Sequence, residues 1–420
     1  MTISELKNKK VLILGYAREG RDTLRFLRKH FSNKVFGIAD QKESLPNLPK
    51  KGVKLHLGKE YLKAIKQYDV VVKSPGIPLR IVAPFLSKKQ RITSETDLFF
   101  STCQGTIVGI TGTKGKSTTA SLIYSILKKG GKNAKLVGNI GKPALQFLSK
   151  HTPEDIFVFE LSSFQLENLK QSPHVAVLLN FYQEHLNHHG SFAAYTKAKE
   201  NITRYQSKAD FLIYNAKDKD ILKIAKRSKA QKLPIYGQNR ILTTSAFLAN
   251  PEPAVLVGKL FSVPESKIQS TIKEFESLEH RLEKVGMFKG ITFVNDSLAT
   301  IPEATIGALD VLGNTVTTLV AGGFDRGVNV EKLARRIEKS KITTLILFPT
   351  TGETIFRSLK KKPKSVFFVK NMKDAVKLAF LHTPKRMVCL LSPAASSFNL
   401  FRDYQDRGDQ FKKFVEQYGR

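Results

Sequence analysis

Short apolar runs alternate with longer stretches in which apolar residues recur every three or four positions. The alternation starts afresh twice along the chain. In the first part, "KVLILG" (10–15), "KVFGIAD" (34–40) and "YDVVVKSPG" (68–76) read as buried strands, and "REGRDTLRFLRKH" (18–30) has helical spacing. A second set comprises "GTIVGIT" (105–111), "DIFVFE" (155–160), "HVAVLLN" (174–180) and "ADFLIYN" (209–215). A third holds "ITFVND" (291–296), "VTTLVAGG" (316–323), "TTLILFP" (343–349), "SVFFV" (365–369) and "RMVCLLSP" (386–393), with helical stretches such as "VEKLARRIEK" between them. Strands alternating with helices imply parallel sheets with crossover helices. The pattern predicts an α/β chain of three domains, 1–94, 95–282 and 283–420.

Composition bounds the class. The chain has 420 residues, 41% hydrophobic and 25% charged, which are globular values. No apolar run is long enough to span a bilayer, and the N-terminus lacks the apolar core of a signal peptide. The two cysteines, Cys103 and Cys389, have no metal-type spacing and are expected as buried thiols in a reducing cytoplasm. Sixty-nine Lys and Arg against thirty-six Asp and Glu give a formal charge of +33. The basic residues are spread along the whole chain, and clusters such as "KKPKS" (361–365) and "KRSKAQK" (226–232) are short and carry no interleaved aromatics, which favours a solvated basic surface over a nucleic-acid interface. Such a surface still draws in anionic substrates.

Two strand-to-helix turns carry candidate chemistry. "GYAREG" (15–20) has Gly15 and Gly20 but Ala17 where a dinucleotide fingerprint wants glycine, and Asp40 ends the next strand, where an acidic residue can meet a ribose. Either a plain structural turn or a phosphate at the helix N-terminus accounts for it. "KSPGIP" (73–78) lies at the end of another strand, near the same sheet edge. The second turn, "TGTKGKS" (111–117), is sharper. Gly112 and Gly115 let backbone N–H groups turn inward, Lys116 supplies a cation, and Ser117 offers a hydroxyl for Mg²⁺. It fails G-x-x-x-x-G-K-[ST] only because Ile110 stands where the first glycine belongs, which reads as a shorter loop. Glu160 closes one later strand and His185 follows another, both suited to a metal ion.

"GITGTKGKST" (109–118), "GNIG" (138–141), "ELSSFQLE" (160–167), "HL…HHGSFAAYTKAK" (185–199), "HRLE" (280–283), "NDSLAT" (295–300) and "LLSPAASSF" (390–398) occur in the order found in the Mur ligases. The chain resembles that family over essentially its whole length, and within it the branch that adds D-glutamate to UDP-N-acetylmuramoyl-L-alanine. The resemblance implies a Rossmann-like first domain for the UDP-sugar, a central P-loop-like ATPase domain and a Rossmann-like third domain for glutamate. It implies ATP, two Mg²⁺ sites, an acyl-phosphate intermediate and a cytoplasmic monomer. By resemblance, Gly112, Thr113, Lys114, Gly115, Lys116, Ser117, Thr118, Asn239, Arg281 and Asp296 meet ATP. Ser117 and Glu160 hold one metal; His185 and Lys199, the latter as a carbamate, hold the second. Gly15, Tyr16, Ala17, Arg18, Gly20, Asp40, Ser74, Pro75, Gly76, Asn139, Ser162 and Gln165 hold the UDP-sugar. Thr300, Arg326, Ser397 and Tyr404 clamp the glutamate.

The chain departs from the family pattern in places. Glu184 and Asn187 replace aspartates in "EHLN", Leu298 stands where some relatives have lysine, and Gln238, Asn239 and Leu242 alter a segment that helps hold adenine. Three readings stay open beside the D-glutamate ligase: a ligase for L-glutamate or another acceptor, a nucleotide-binding homologue without catalysis, which the altered adenine segment suggests, and a nucleic-acid-stimulated ATPase, suggested only by the charge of +33.

Overall fold

The computed structural model describes residues 1–420 except 47, 50, 237–240, 243–246, 249, 277, 278, 326 and 399, and without the side chains of 241, 242, 247 and 248. It is an α/β structure of two compact units, Met1–Gly237 with Pro251–Thr271, and Gln238–Asn250 with Ile272–Arg420.

The first unit holds two parallel sheets. One contains β1 (Val11–Leu14), β2 (Phe36–Asp40), β3 (Val53–Leu57), β4 (Val70–Lys73) and β5 (Arg91–Thr93), in the order β3-β2-β1-β4-β5. The other contains β6 (Thr106–Thr111), β7 (Ala134–Gly138), β8 (Ile156–Glu160), β9 (Val175–Leu178), β10 (Phe211–Asn215) and β11 (Gln231–Ile235), in the order β11-β10-β9-β6-β8-β7. Central strands such as "VLIL" and "IFVFE" are buried along their whole length, as sheets covered on both faces require. In each sheet the strand order reverses direction, at β1/β4 and beside β6. Such reversals open crevices at the carboxyl ends of the strands.

The two sheets share one core. The helix Glu95–Thr102, capped by the Ser94 side chain on the Asp97 N–H, inserts Phe99 against Phe157 at 5.1 Å and Phe159 at 5.6 Å between ring centres. The same apolar cluster runs from Ile13 and Phe36 through Phe99 to Leu178. Both sheets thereby belong to one compact unit.

In the second unit, β12 (Ile241–Leu242) and β13 (Phe247–Leu248) pair as a short antiparallel ladder. The main sheet contains β14 (Glu283–Phe288), β15 (Ile291–Asn295), β16 (Val316–Gly323), β17 (Thr344–Thr350), β18 (Ser365–Phe368) and β19 (Val388–Leu391), ordered β14-β15-β19-β16-β17-β18 with β14 antiparallel. Apolar clusters cover both of its faces, one around Leu319 and Leu345, the other around Phe293, Phe348 and Phe411.

Sequence pattern finds the central strands and misses β3, β5, β7, β11 and β14. All five lie at sheet edges, where one side faces water and polar residues interrupt the apolar run, as in "VKLHL". Cys389 is buried in β19 as expected; Cys103 is only partly buried, because it lies just past a helix end. Among the described residues no helix is long and apolar enough to cross a membrane.

Candidate active site

β6 delivers the phosphate-type loop. Gly112 and Gly115 have positive φ, 155° and 82°, and Gly115 caps the helix Lys116–Lys129. A side chain at Gly112 would meet Leu179 Cβ at 2.9 Å, so the loop lies directly on the end of β9. Asn180, just past β9, staples it: the Lys114 N–H donates to Asn180 Oδ1 (2.8 Å), Asn180 Nδ2 donates to the Lys114 carbonyl (3.0 Å), and the Thr113 N–H donates to the Asn180 carbonyl (2.8 Å). Tyr195 OH adds a bond to Thr113 Oγ1 at 2.7 Å. Sequence reading missed Asn180 and Tyr195; the only signal for Asn180 was its place at the end of a strand neighbouring β6. Lys116 bends back over the loop and donates to the Thr113 carbonyl at 3.0 Å. Ser117 and Thr118 occupy the first turn of the helix.

Lys199 reaches this loop from the helix Phe192–Arg204. Its Nζ donates to the Gly112 carbonyl (2.9 Å) and lies 3.2 Å from Thr111 Oγ1, over the Tyr195 ring. The side chain is buried, 2% exposed. Burial, then the charge of Lys116, holds its ammonium well below the ordinary lysine range, with Glu184 and Glu160 pulling the other way. Glu160, at the end of β8, is also buried. Its Oε1 accepts from Asn139 Nδ2 at 3.0 Å, while its Oε2 is buried with no hydrogen-bond partner. His185 has a left-handed backbone, φ 56°, and its ring packs 4.7 Å from Phe164. Burial lowers its pKa, opposed by Glu184 and reinforced by Lys199 and Lys116, so it offers a neutral imidazole. Lys116, Lys199, Glu160 and His185 thus belong to one electrostatic neighbourhood.

The crevice at β1/β4 is a cavity of about 370 Å³ whose lining includes Gly15, Tyr16, Ala17, Arg18, Asp40, Ser74, Pro75, Gly76, Asn139 and Gln165. Asn139 lines it and also binds Glu160, so the cavity reaches the phosphate loop's carboxylate. Asp40 accepts the Tyr16 N–H (2.8 Å) and the Lys42 N–H (3.0 Å), shaping the loop after β1. Gly20 and Ser162 stand one layer back. A Cβ at Gly20 would sit 2.0 Å from the Gly15 carbonyl oxygen. Ser162 forms a capping box with Gln165, whose Nε2 donates to Glu19 Oε1 at 2.8 Å. Glu19 and Glu95, which sequence reading also missed, each line the cavity and each bury one unpartnered Oε2. Burial pushes Glu19 up to about 7 and Glu95 well above the carboxylate range.

In the second unit the loops after β15 and β19 converge on Arg407. This fully buried guanidinium donates to Ser297 Oγ (3.0 Å), the Ser297 carbonyl (2.8 Å) and the Ala395 carbonyl (3.0 Å). Ser297 Oγ in turn donates to the Tyr404 carbonyl at 2.7 Å. Asp296 accepts the Leu282 N–H and the Ser392 hydroxyl. Arg281 immediately precedes Leu282 in the chain. Of the expected glutamate residues, Ser397 and Tyr404 therefore flank this hub and Thr300 ends the β15 loop. Arg407 lies in "FRDYQDRG" (401–408), a polar stretch that gives no local sign of its role. Asn239, Arg326 and the neighbouring Gln238 lie outside the described residues, and the Leu242 side chain does too.

Comparison with known proteins agrees with this layout. Residues 110–273 match the model of the Mur ligase middle domain, and residues 280–395 that of the Mur ligase, glutamate ligase domain. The chain is 32% identical to the UDP-N-acetylmuramoylalanine–D-glutamate ligase of Streptococcus agalactiae serotype III, over 98% of this chain and 97% of that one. The enzyme of the same name from Streptococcus pyogenes serotype M1 is also 32% identical, over 97% of each. Among solved structures, the fold is similar to UDP-N-acetylmuramate-alanine ligase from Thermotoga maritima (TM-score 0.59, 16% identity, 98% of this chain and 99% of that one). It is similar too to the MurF ligase of that organism in complex with ADP (TM-score 0.59, 16% identity, 99% and 97%). Near-complete coverage at this identity, on a chain whose phosphate loop, strand-end glutamate and buried lysine fall together, leaves one assignment: the protein belongs to the Mur ligase family.

Proposed function

We propose that this chain is an ATP-dependent ligase that joins D-glutamate to the carboxylate of UDP-N-acetylmuramoyl-L-alanine. The observation that carries the chemistry is the meeting, at adjoining strand ends, of the Lys116 loop, the orphaned Glu160 Oε2 and the buried Lys199 amine, beside a cavity that shares Asn139 with them. The choice of substrates rests on the full-length relatives named for that reaction. We read the three main sheets as three domains: 1–94 for the UDP-sugar, 95–282 for ATP and 283–420 for glutamate.

A carboxylate is a poor acyl donor. Transfer of the ATP γ-phosphoryl group makes it an acyl phosphate, the glutamate amine adds to its carbonyl carbon, and phosphate leaves, giving an amide, ADP and phosphate. Each stage concentrates negative charge. The N-terminal end of the helix that begins at Lys116 and the Lys116 ammonium are placed to stabilise that charge as it develops. A partnerless buried carboxylate oxygen is costly, and a cation at Glu160 removes that cost. Glu160 with Ser117, and His185 with Lys199, would hold Mg²⁺. Mg²⁺ supplies charge neutralisation and Lewis acidity at the phosphates. Lys199 is suited to its part because burial lowers its pKa and so favours the neutral amine, the form that adds CO₂ to become an anionic carbamate. In the cavity, Arg18 and the loop after β1 face the place where a diphosphate would lie, and Asn139 and Gln165 mark the end nearest Glu160.

Phosphate release by the purified protein with ATP, Mg²⁺, the sugar nucleotide and D-glutamate tests the reading through Lys116→Ala. Loss of about a hundredfold or more in turnover is expected, the scale of removing one transition-state donor. Near-normal turnover would refute the phosphate-loop assignment.

A further inference from the structure

Glu167, His188 and His189 converge at a point that the ligase chemistry leaves unused. One donor atom from each lies within 4.8 Å of the others. His188 Nε2 is 3.6 Å from Glu167 Oε2, and His189 Nδ1 is 3.9 Å from Glu167 Oε1. Both imidazoles are more than nine-tenths buried. His188 Nε2 is buried without a hydrogen-bond partner, just beyond bonding distance of the carboxylate it faces. The other ring nitrogen of His189 meets Ser163 Oγ at 3.0 Å, which turns Nδ1 toward Glu167. Arg80 fixes the backbone beneath, donating to the His188 carbonyl at 3.1 Å and the Asn187 carbonyl at 2.7 Å. A histidine oriented through its second nitrogen is the usual support of a metal ligand.

We propose that Glu167, His188 and His189 form a binding site for one transition-metal ion of the Zn²⁺ class, separate from the two Mg²⁺ positions. Bonds of about 2.0–2.2 Å on a tetrahedral ion put neighbouring donors about 3.4 Å apart, so small side-chain rotations close the observed spacings. Two imidazoles and one carboxylate select zinc or cobalt over magnesium, and three protein ligands leave a fourth position open. The protonation states suit it. Burial, then the neighbouring His188, pushes His189 down to about 4. Burial raises Glu167, but His188 and Lys73 together hold it below the ordinary carboxylate value. Lys73 is the competitor: its Nζ lies 3.6 Å from Glu167 Oε2 while donating to the Ile77 carbonyl at 2.8 Å. A cavity lined by Glu167, His189 and Asn201 gives access.

The test uses the full chain without affinity tag, nucleotide or Mg²⁺, titrated with Co²⁺ alone and followed by its visible absorption, then displaced by Zn²⁺. One equivalent with four- or five-coordinate bands is expected. His188→Ala and the near-isosteric Glu167→Gln are each expected to weaken binding by about tenfold or more, and His185→Ala to leave it within about twofold. If His188→Ala fails to fold, Glu167→Gln decides. Unchanged affinity in the folded variants, loss in His185→Ala, or no binding by the parent protein overturns the site.

Discussion

Replacing Glu19 by glutamine removes one buried acid and almost nothing else. The amide keeps an acceptor for Gln165 Nε2, now 2.8 Å from Glu19 Oε1, and imitates the protonated acid at the unpartnered Oε2. Burial, opposed by Gln165, Arg18 and Lys73 and aided by Asp22, lifts the folded-state pKa from 4.5 to about 7. Glu95 is pushed up by burial and by Glu19 itself, so the two carboxyls act together. The sign follows from proton counts. Below pH 4.5 both folded and unfolded chains hold the proton, and parent and variant share the same electrostatic balance. Between 4.5 and about 7 the unfolded chain releases it while the folded chain keeps it, so the parent loses stability as pH rises. Above that the deficit is constant, up to about 3 kcal/mol at about 1.4 kcal/mol per tenfold change in proton affinity. Urea unfolding of both proteins across this range measures it. Glu19→Gln should match the parent near pH 4.5 and exceed it increasingly toward pH 8, by about 3 kcal/mol at most. Parallel pH profiles for the two proteins would refute the reasoning.

Asn180→Ala removes the side-chain bonds at 2.8 and 3.0 Å that staple the phosphate loop. At about 1 kcal/mol each, urea unfolding should show a loss of about 2 kcal/mol, and the loosened loop should lower kcat/KM for ATP; an unaltered kcat/KM contradicts the bracing role. Gly408→Ala places a Cβ 2.1 Å from His280 Nδ1 and 3.0 Å from Asn295 Nδ2, so the terminal helix must move. A loss on the order of 1–3 kcal/mol is expected in urea unfolding, and a neutral result would mean the helix packs less closely than described. Protein exchanged into ¹³C-bicarbonate should show a carbamate carbonyl signal that Lys199→Arg abolishes, because a permanently charged guanidinium cannot add CO₂. A signal that survives in the variant would place the carbamate elsewhere.

The central strands and both glycine turns were legible because burial on two faces demands unbroken apolar runs and a tight turn demands glycine. Edge strands such as "VKLHL" lack that demand. Within the site, Lys116, Glu160 and His185 could be named because each sits at or beside a strand end, whereas Lys199, in mid-helix, was named only through the resemblance of "YTKAK" to the family motif. Asn180, Tyr195, Glu19, Glu95 and Arg407 could not, since their roles arise from tertiary neighbours. Asn180 matters only because β9 pairs with β6, and Arg407 only because two loops and a helix meet around it. Ser162 and Gly20, expected to hold the sugar nucleotide, position their neighbours and do not line the cavity.

The most direct test of the account is substrate-dependent phosphate release. The purified protein is given ATP, Mg²⁺ and UDP-N-acetylmuramoyl-L-alanine, with D-glutamate, L-glutamate or no amino acid. The account predicts release that requires both the sugar nucleotide and D-glutamate, with formation of the amide product. Preference for L-glutamate, or no release by protein that still binds the sugar nucleotide, would contradict it.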